Sequence, residues 1–402
     1  MKLICQIFSA SFNSSFTTLM LIIMSIQIVP IEGYALSPIK IGLMILALLV
    51  FLFRVPYITK ALWFSFIYWL VCYFTALFHG DLRFSTLGYL GMFLISFLVF
   101  YNFIHIGTFT FVQFKKILKF LLISYCITLL LQQICIIIGI YNIPILNLVG
   151  LNYYEWNRLP VLSCEPSHTA TIISAVMLGY IRCLEIEQHS KVVLKLLFNR
   201  DNRLVTISYF WLIFTIGSGT GWIAFGIMCL YFVRPKTFIY TIPIIAVFLG
   251  GIKYFGNKQF ERVIVATEAT FSGNIKNISQ ADGSASARII PLVNTLIYTD
   301  LTKKESWIGG GTLSKDGSLN YWKNLNRKIP VVEQYGLLGL VASLFLIYTC
   351  SIRYLFSLET LYFIILLQMS IINAYVVWSM IFIFTAINYF QEQDEKEYLS
   401  NC

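Results

Sequence analysis

The sequence has little charge for its length. Only 12% of its 402 residues are Asp, Glu, Lys or Arg, whereas 58% are hydrophobic. Because a soluble core cannot hold that much apolar surface, the composition excludes an ordinary soluble protein and favours one solvated by a lipid bilayer. The net charge of +10 does not indicate nucleic-acid binding, since the basic residues lie mostly between apolar runs, where they orient a membrane protein.

Motifs for metals and disulfides are also missing. The sequence contains no Cys-x-x-Cys, no Cys/His metal spacing and no Asp-x-Asp pair that would hold a divalent cation on a nucleotide sugar. We therefore expect neither a metal nor a cofactor. Most of the nine cysteines lie inside apolar runs, where a disulfide framework has no role. These are Cys72, Cys126, Cys135, Cys183, Cys229 and Cys350.

Long apolar runs recur along the whole chain. A helix needs roughly 20 apolar residues to cross a bilayer. Lys2 is followed by a polar patch at 9–18 that a signal peptide lacks, so the first run is expected to be a retained span. The sequence thus predicts an all-α, polytopic membrane protein with about twelve transmembrane helices. The runs lie at about 16–31, 39–55, 61–78, 86–106, 117–140, 168–184, 204–217, 220–234, 238–256, 330–350, 357–372 and 374–390.

Lysine and arginine alternate between the predicted connectors. With the N-terminus in the cytoplasm, every short inner connector is basic and the short outer connectors carry almost no basic residues. This orientation places both termini in the cytoplasm. It also favours two helices on either side of the turn 217–221, because merging them would put Arg234 and Lys236 outside.

The predicted topology divides the chain into three parts. Residues 1–256 contain helices 1–9 with an outer loop at 141–167, residues 257–329 form one large outer loop, and residues 330–402 contain helices 10–12 and a cytoplasmic tail. We expect the charged tail, from Glu392 to Glu397, to be a solvated end.

An anion site is expected on the outer side. Three helices begin there, near Pro166, Ser218 and Pro330, and helix N-termini with glycine amides favour an anion. Arg158 and Arg288 would add bidentate phosphate contacts. Alternatively, both arginines extend to lipid headgroups and the glycines only let helices pack.

The large outer loop is itself basic. It carries ten lysines and arginines against six acidic residues. This excess of positive charge fits attraction to an anionic ligand or headgroup. An ordinary solvated loop is the other interpretation.

Four ionisable residues on the predicted outer side are candidates for acid–base chemistry, namely Glu165, His168, Asp282 and Glu333. Glu165 and His168 are three residues apart and share a helix face if Pro166 opens the helix. One of them could accept the proton of a sugar hydroxyl. For His168 the alternative is an interfacial histidine that only packs.

The order of the motifs carries a resemblance. The motifs are Arg158 with Glu165-Pro166-Ser167, the turn 217–221, Ser286-Ala287-Arg288, Trp307-Ile308-Gly309-Gly310-Gly311 and Glu333-Gln334-Tyr335-Gly336-Leu337-Leu338-Gly339. In this layout, which covers nearly the whole chain, the sequence resembles the bacterial O-antigen and capsular polysaccharide polymerases (Wzy-type). These belong with the O-antigen ligases in a broad superfamily.

The resemblance implies a metal-independent glycosyltransferase of GT-C-like architecture in the bacterial inner membrane, with a periplasmic large loop. Such an enzyme transfers a growing glycan from its polyprenyl pyrophosphate to a sugar hydroxyl of the next lipid-linked repeat unit. Pyrophosphate is a good leaving group, so positioning and charge stabilisation would supply most of the rate. Expected partners are the lipid-linked oligosaccharide, membrane lipid, and a chain-length regulator and a flippase of the same pathway, with no nucleic acid.

The resemblance also implies roles for individual residues. The candidates for binding pyrophosphate are Arg158, Arg288, Ser218, Gly219 and Thr220. The candidates for orienting or deprotonating the acceptor are Glu165, then His168, then Asp282. The candidates in the substrate-binding loop are Ser286, Gly310 and Glu333.

Two features differ from the family pattern. The turn 217–221 has no arginine, so either backbone amides and Thr220 replace it or the turn lies outside the site. The stretch before Glu333 has no histidine, which ligases carry there, so a polymerase is favoured over a ligase. The rival from another class is a transporter or flippase, but the apolar runs lack the midplane ionisable groups that ion-coupled transporters keep.

Overall fold

The computed structural model is helical wherever it describes the chain. The described residues are 2–27, 37–53, 59–80, 84–140, 159–163, 165–216, 218–233, 278, 283–311, 326–367 and 375–401, and they contain no strand. The helices are α1 (Lys2–Ser25), α2 (Pro38–Phe53), α3 (Lys60–Phe78), α4 (Phe84–His105), α5 (Phe111–Ile138), α6 (Pro166–Gln188), α7 (Leu194–Leu197), α8 (Arg203–Thr215), α9 (Gly219–Phe232), α10 (Gly283–Ile297), α11 (Lys304–Ile308), α12 (Pro330–Cys350), α13 (Leu358–Leu367) and α14 (Tyr375–Asn401).

Five of the described helices are long and apolar enough to cross a membrane, namely α3, α4, α5, α6 and α12. Helices α2, α8 and α9 are apolar but shorter, as is the segment Ala10–Ser25 of α1. These helices indicate a membrane protein, as the apolar runs predict. The separate helices α8 and α9 confirm the break predicted near 217–221. The ninth predicted run, 238–256, lies outside the described residues, so the number of about twelve spans stays a prediction.

The core lies where α14 packs against α4, α6 and α1. Aromatic rings hold α4 to α14: Phe100 stacks on Phe382 with ring centroids 4.3 Å apart, and Phe93 stacks on Trp378 at 5.7 Å. Gly179 of α6 lets three helices approach closely, because a Cβ there would lie 3.1 Å from side-chain atoms of Leu118 and Ile383. This packing places α6 in the centre of the bundle.

One end of the bundle collects the charged connectors, and we call it the charged end. Lys115 pairs with Glu187 at 2.5 Å, and His189 lies 3.2 Å from Asp394. Arg353 pairs with Glu395 at 2.6 Å, and this hydrogen-bonded carboxylate raises the pKa of the guanidinium. The tail expected to be a solvated end is the last part of helix α14; most of it is exposed, and Asp394 and Glu395 pair with neighbouring connectors.

Helix direction then defines the opposite end, which we call the far end. Helices α6 and α9 both finish at the charged end, where the Tyr231 hydroxyl donates to Glu185 at 2.5 Å. Helix α12 also finishes there, with its last carbonyl, Cys350 O, 3.4 Å from Asn388 Nδ2. Helices α6, α9 and α12 therefore all begin at the far end, as the sequence predicts.

The predicted large loop contains helical structure. Residues 283–297 form α10 and residues 304–308 form α11. Asp300 shapes the connection between them by accepting from the Thr302 amide at 3.0 Å and the Thr302 hydroxyl at 2.6 Å. These hydrogen bonds, with nearby Lys303, hold the pKa of this exposed carboxylate below its usual value.

Candidate functional site

The start of α6 places one predicted acid–base residue at the far end. Pro166 opens the helix, as predicted, and Glu165 is its N-cap residue. The Glu165 carboxylate is exposed and does not cap the helix amides; it accepts a hydrogen bond from Ser167 Oγ at 3.2 Å. His168 lies one turn further on and is half-buried. The carboxylate therefore remains open to a substrate.

The segment 159–163 fixes the entry to α6. The Gln132 side chain of α5 bonds both backbone groups of one residue: its amide donates to Val161 O at 3.3 Å, and its Oε1 accepts from Val161 N at 3.1 Å. Val161 has a φ of +59°, which a β-branched residue adopts only under constraint. Gln27 N adds a bond of 2.8 Å to Leu162 O. Gln132 of α5, Gln27 after α1 and the segment 159–163 thus together fix the position of Glu165.

A buried hydroxyl pair strengthens that entry. Ser163 Oγ bonds the hydroxyl of Thr169 and donates to Glu165 O at 2.9 Å. Thr169 Oγ1 lies 2.5 Å from Pro160 O. Because both hydroxyls are fully buried, their mutual bonds are retained in low dielectric and rigidify the turn.

The start of α9 lies beside the start of α6. Ser218 is the N-cap residue and Gly219 opens the helix. The two helices are close at Gly221, where a Cβ would lie in ordinary contact with Ala170 Cβ, at 3.5 Å. Thr220 is 2% exposed, and its hydroxyl has no hydrogen-bond partner among the described residues. Two of the three predicted helix N-termini are therefore brought together, with the Thr220 hydroxyl at their junction.

The start of α12 crosses the glycine segment that follows α11. Gly310 N donates to Glu333 O at 2.7 Å, and Gly311 N donates to Gln334 O at 3.2 Å. The backbones touch at Gly309 and Gly336, whose φ angles are +76° and +69°. A Cβ on Gly336 would lie 2.1 Å from Trp307 O, and one on Gly309 would lie 2.4 Å from Gln334 O. Only glycine fits at either position.

This crossing supplies hydrogen bonds to an interruption in α12. Gly336 has non-helical angles inside α12, so the carbonyls of Glu333 and Gln334 are released from the regular helix ladder. The amides of Gly310 and Gly311 satisfy both carbonyls. Irregular backbone is tolerated at membrane depth only when protein groups satisfy it in this way. The contact thus joins two motifs that the sequence resemblance singled out separately.

The chain matches no protein-family model, no curated protein and no solved structure. Its chemistry is therefore inferred from the two groups of contacts described above: the α6–α9 start and the glycine crossing on α12.

The structure adds one residue that the sequence did not indicate. His79 follows α3, and its Nε2 lies 3.3 Å from Ile308 O, directly before the glycine crossing. When the Nε2–H donates to this carbonyl, Nδ1 is left as the basic nitrogen. The only signal in the sequence is a histidine directly after an apolar run, which does not reveal a partner about 230 residues away.

The other predicted site residues are placed as follows. Glu333 lies in the first turn of α12 and is half-buried, and Gly310 is exposed. Arg158 and Asp282 lie outside the described residues. Ser286 and Arg288 lie within α10, and their side chains are outside the described part of the structure. Among the described residues no three His, Cys, Asp or Glu side chains group as metal ligands.

The basic residues of the predicted loop are not all solvated. Arg327 is 2% exposed, and Asn294 of α10 donates to its carbonyl at 2.9 Å. Thr295 Oγ1 accepts from Ile329 N at 2.9 Å. These bonds join α10 to the residues that enter α12. For Arg327 the solvated-loop interpretation is wrong, because packing of α10 against 327–329 buries it.

Proposed function

We propose that the protein is a glycosyltransferase that polymerises polyprenyl-pyrophosphate-linked oligosaccharide units at the extracytoplasmic face of a bacterial inner membrane. The observation that supports this is the meeting of Trp307–Gly311 with Glu333–Gly339. These two motifs of the polymerase-like pattern are separated in sequence, yet their backbones interlock at the end of the bundle where α6 and α9 also begin.

The arrangement suits an anionic leaving group. The starts of α6 and α9 direct backbone amides toward the far end, where helix dipoles favour negative charge. Thr220 supplies a hydroxyl with no partner among the described residues. The two arginines, Arg158 and Arg288, belong to this proposal as bidentate ligands of the diphosphate.

The proposed reaction is a substitution at the anomeric carbon of the donor glycan. An acceptor sugar hydroxyl attacks this carbon, a new glycosidic C–O bond forms, and the C–O bond to pyrophosphate breaks. Polyprenyl pyrophosphate leaves with the electron pair, and the hydroxyl proton passes to Glu165, with His168 as the second candidate. Glu165 is suited to this role because its carboxylate is exposed while its backbone is held firmly.

Deletion of the gene in its host, followed by gel display of the surface glycan, tests the activity. A polymerase predicts loss of the long-chain ladder while single repeat units remain attached. Loss of all attached glycan, with lipid-linked polymer accumulating, would instead indicate a ligase. An unchanged ladder would exclude both.

Site variants in the same assay test the residues. Glu165→Gln keeps an acceptor for Ser167 but removes the base, so we expect turnover to fall by about 10²–10⁴-fold. Arg158→Ala and Arg288→Ala should abolish long chains. Glu187→Gln, at the charged end, is the matched acid control and should leave the ladder intact. A normal ladder in both arginine variants would remove the proposed diphosphate site.

A further inference from the structure

An elongated apolar groove runs between α2, α3 and α4. Its volume is about 690 Å³, within the roughly 300–1,000 Å³ typical of ligand pockets. Its walls are almost entirely hydrophobic, with Trp69 and Phe66 from α3, Leu48 from α2, and Tyr89 from α4 among them. Because α3 and α4 are helices of membrane-crossing length, the groove lies at the depth of lipid tails, and hydrocarbon rather than water would fill it.

The shape of the groove fits one extended chain. Its lining residues on α4 run from Phe84 to Leu98. At 1.5 Å per residue this is about 21 Å of helix, most of the roughly 30 Å hydrocarbon core. A compact ligand would not need such a length, whereas a single linear hydrocarbon chain would.

Two glycines of α4, Gly88 and Gly91, line this groove and differ in their surroundings. Gly91 allows the Trp69 indole to reach Leu87 O at 3.1 Å, because a Cβ at Gly91 would stand 3.4 Å from the indole nitrogen. No such contact requires a glycine at position 88, because a Cβ on Gly88 would meet nothing within 4 Å. A glycine inside a helix costs about 1 kcal/mol relative to alanine. At Gly88 helix packing does not require that cost, and because Gly88 lines the groove, a side chain there would enter it.

The groove leads to the candidate site. Its lining begins at Phe84 and Ser85, the first residues of α4, so it reaches the far end of the bundle. The preceding helix ends there with Phe78, and Lys304 Nζ lies 5.9 Å from the Phe78 ring centroid. His79 follows and contacts Ile308 beside the glycine crossing. The apolar groove therefore opens at the end of the bundle where Lys304, His79 and the glycine crossing lie.

We propose that this groove holds the isoprenoid tail of the lipid-linked substrate, with its diphosphate at the far end of the bundle, where the starts of α6 and α9 and Lys304 all lie. This inference rests on the proposed function. The combination of a chain-length apolar groove and a cation at the end of the bundle where it opens matches a polyprenyl diphosphate, whose tail is apolar and whose head is anionic. Residues lining the groove then set the affinity for the donor without touching the reacting atoms.

Photolabelling of the purified full chain in nanodiscs tests the groove. One probe is a polyprenyl pyrophosphate with a diazirine in its tail, and the other is a phospholipid with a diazirine in an acyl chain. We expect the polyprenyl probe to label peptides of α3 and α4, and unlabelled polyprenyl pyrophosphate to compete. Equal labelling by the phospholipid probe without such competition, or labelling elsewhere, would show that the groove holds only bulk lipid and overturn the proposal.

A filled-groove variant gives an independent measurement. Gly88→Leu places a side chain in the channel and should reduce labelling by about tenfold, the effect of losing roughly two methylene contacts. Gly226→Leu is the matched control, because Gly226 is an exposed mid-helix glycine of α9 with nothing within 4 Å of a Cβ and no place in the groove. Equal labelling of both folded variants would contradict the proposal, and the competition on the unaltered chain decides it if Gly88→Leu does not fold.

The two proposals can fail separately. Competable labelling in a protein whose deletion leaves the glycan ladder unchanged would retain the groove and remove polymerisation. Loss of the ladder on deletion, with no competable labelling, would retain polymerisation and remove the groove.

Discussion

At the scale of the residue, two glycines determine whether the candidate site can assemble. Gly309 and Gly336 lie face to face. Each has a positive φ that residues with a side chain rarely adopt, and each has no room for a Cβ. Their sequence context shows only glycine-rich motifs. That both glycines are required, for their conformation and for the close approach, follows from the crossing.

Gly336→Ala and Gly309→Ala should each destabilise the protein. The strained φ alone costs on the order of 1–3 kcal/mol, and a Cβ within 2.4 Å of a backbone atom adds a clash that rigid backbone cannot relieve. The measurement is the thermal unfolding midpoint in detergent, with Gly310→Ala as the control, since a Cβ there meets Glu333 O at an ordinary 3.5 Å. Equal midpoints for the three variants would contradict the crossing.

At the scale of the element, a partly buried ion network joins α6, α9 and α13 at the charged end. Arg182 Nε donates to Glu359 at 2.8 Å, and its NH1 group donates to Glu185 at 2.6 Å. Tyr231 donates to Glu185 and accepts from Val192 N at 2.9 Å. One guanidinium thus pairs with two carboxylates that lie 18% or less exposed.

Arg182→Met should unfold this end of the bundle more readily. Removing the cation leaves Glu185 and Glu359 without compensation, which costs about 3–5 kcal/mol for a buried pair. The measurement is the free energy of unfolding in a mild detergent. The comparison is Arg353→Met, whose Glu395 partner is 51% exposed, so its loss should cost about 1 kcal/mol or less.

A double variant separates the network from simple packing. If the ions act as a unit, Arg182→Met combined with Glu359→Gln should cost less than the sum of the single changes. Strict additivity would mean that the two side chains contribute independently.

At the scale of the whole molecule, the charged connectors and the candidate site lie at opposite ends of the bundle. The connectors predicted to be cytoplasmic are linked by Lys115–Glu187, His189–Asp394 and Arg353–Glu395. This grouping agrees with the lysine and arginine alternation that the sequence shows. Which end of the bundle faces the cytoplasm is predicted only from that alternation.

Cysteine labelling in intact cells tests the direction. On a background without the nine native cysteines, a membrane-impermeant maleimide should label Lys303→Cys before permeabilisation and Phe356→Cys only after it. Both positions are well exposed, with Phe356 at 98% and the Lys303 side chain at 68%. The reverse pattern would place the candidate site in the cytoplasm, and labelling of both from one side would contradict the two-ended arrangement.

The sequence by itself determined the helical class, the position of most apolar helices and the break between α8 and α9, because bilayer-length hydrophobicity and helix-breaking residues are local properties. It also determined that Pro166 opens α6 with Glu165 before it. It did not determine that α14 extends to Asn401, nor that Asp394 and Glu395 in this tail pair with distant connectors. Local composition carries no record of such partners.

The tertiary structure alone decided which helices are neighbours. The crossing of Gly309 with Gly336, the contact of His79 with Ile308 and the groove between α2, α3 and α4 all depend on residues that are distant in the chain. In a membrane most helix faces are equally apolar, so hydrophobicity does not specify pairing, and close packing and backbone hydrogen bonds do.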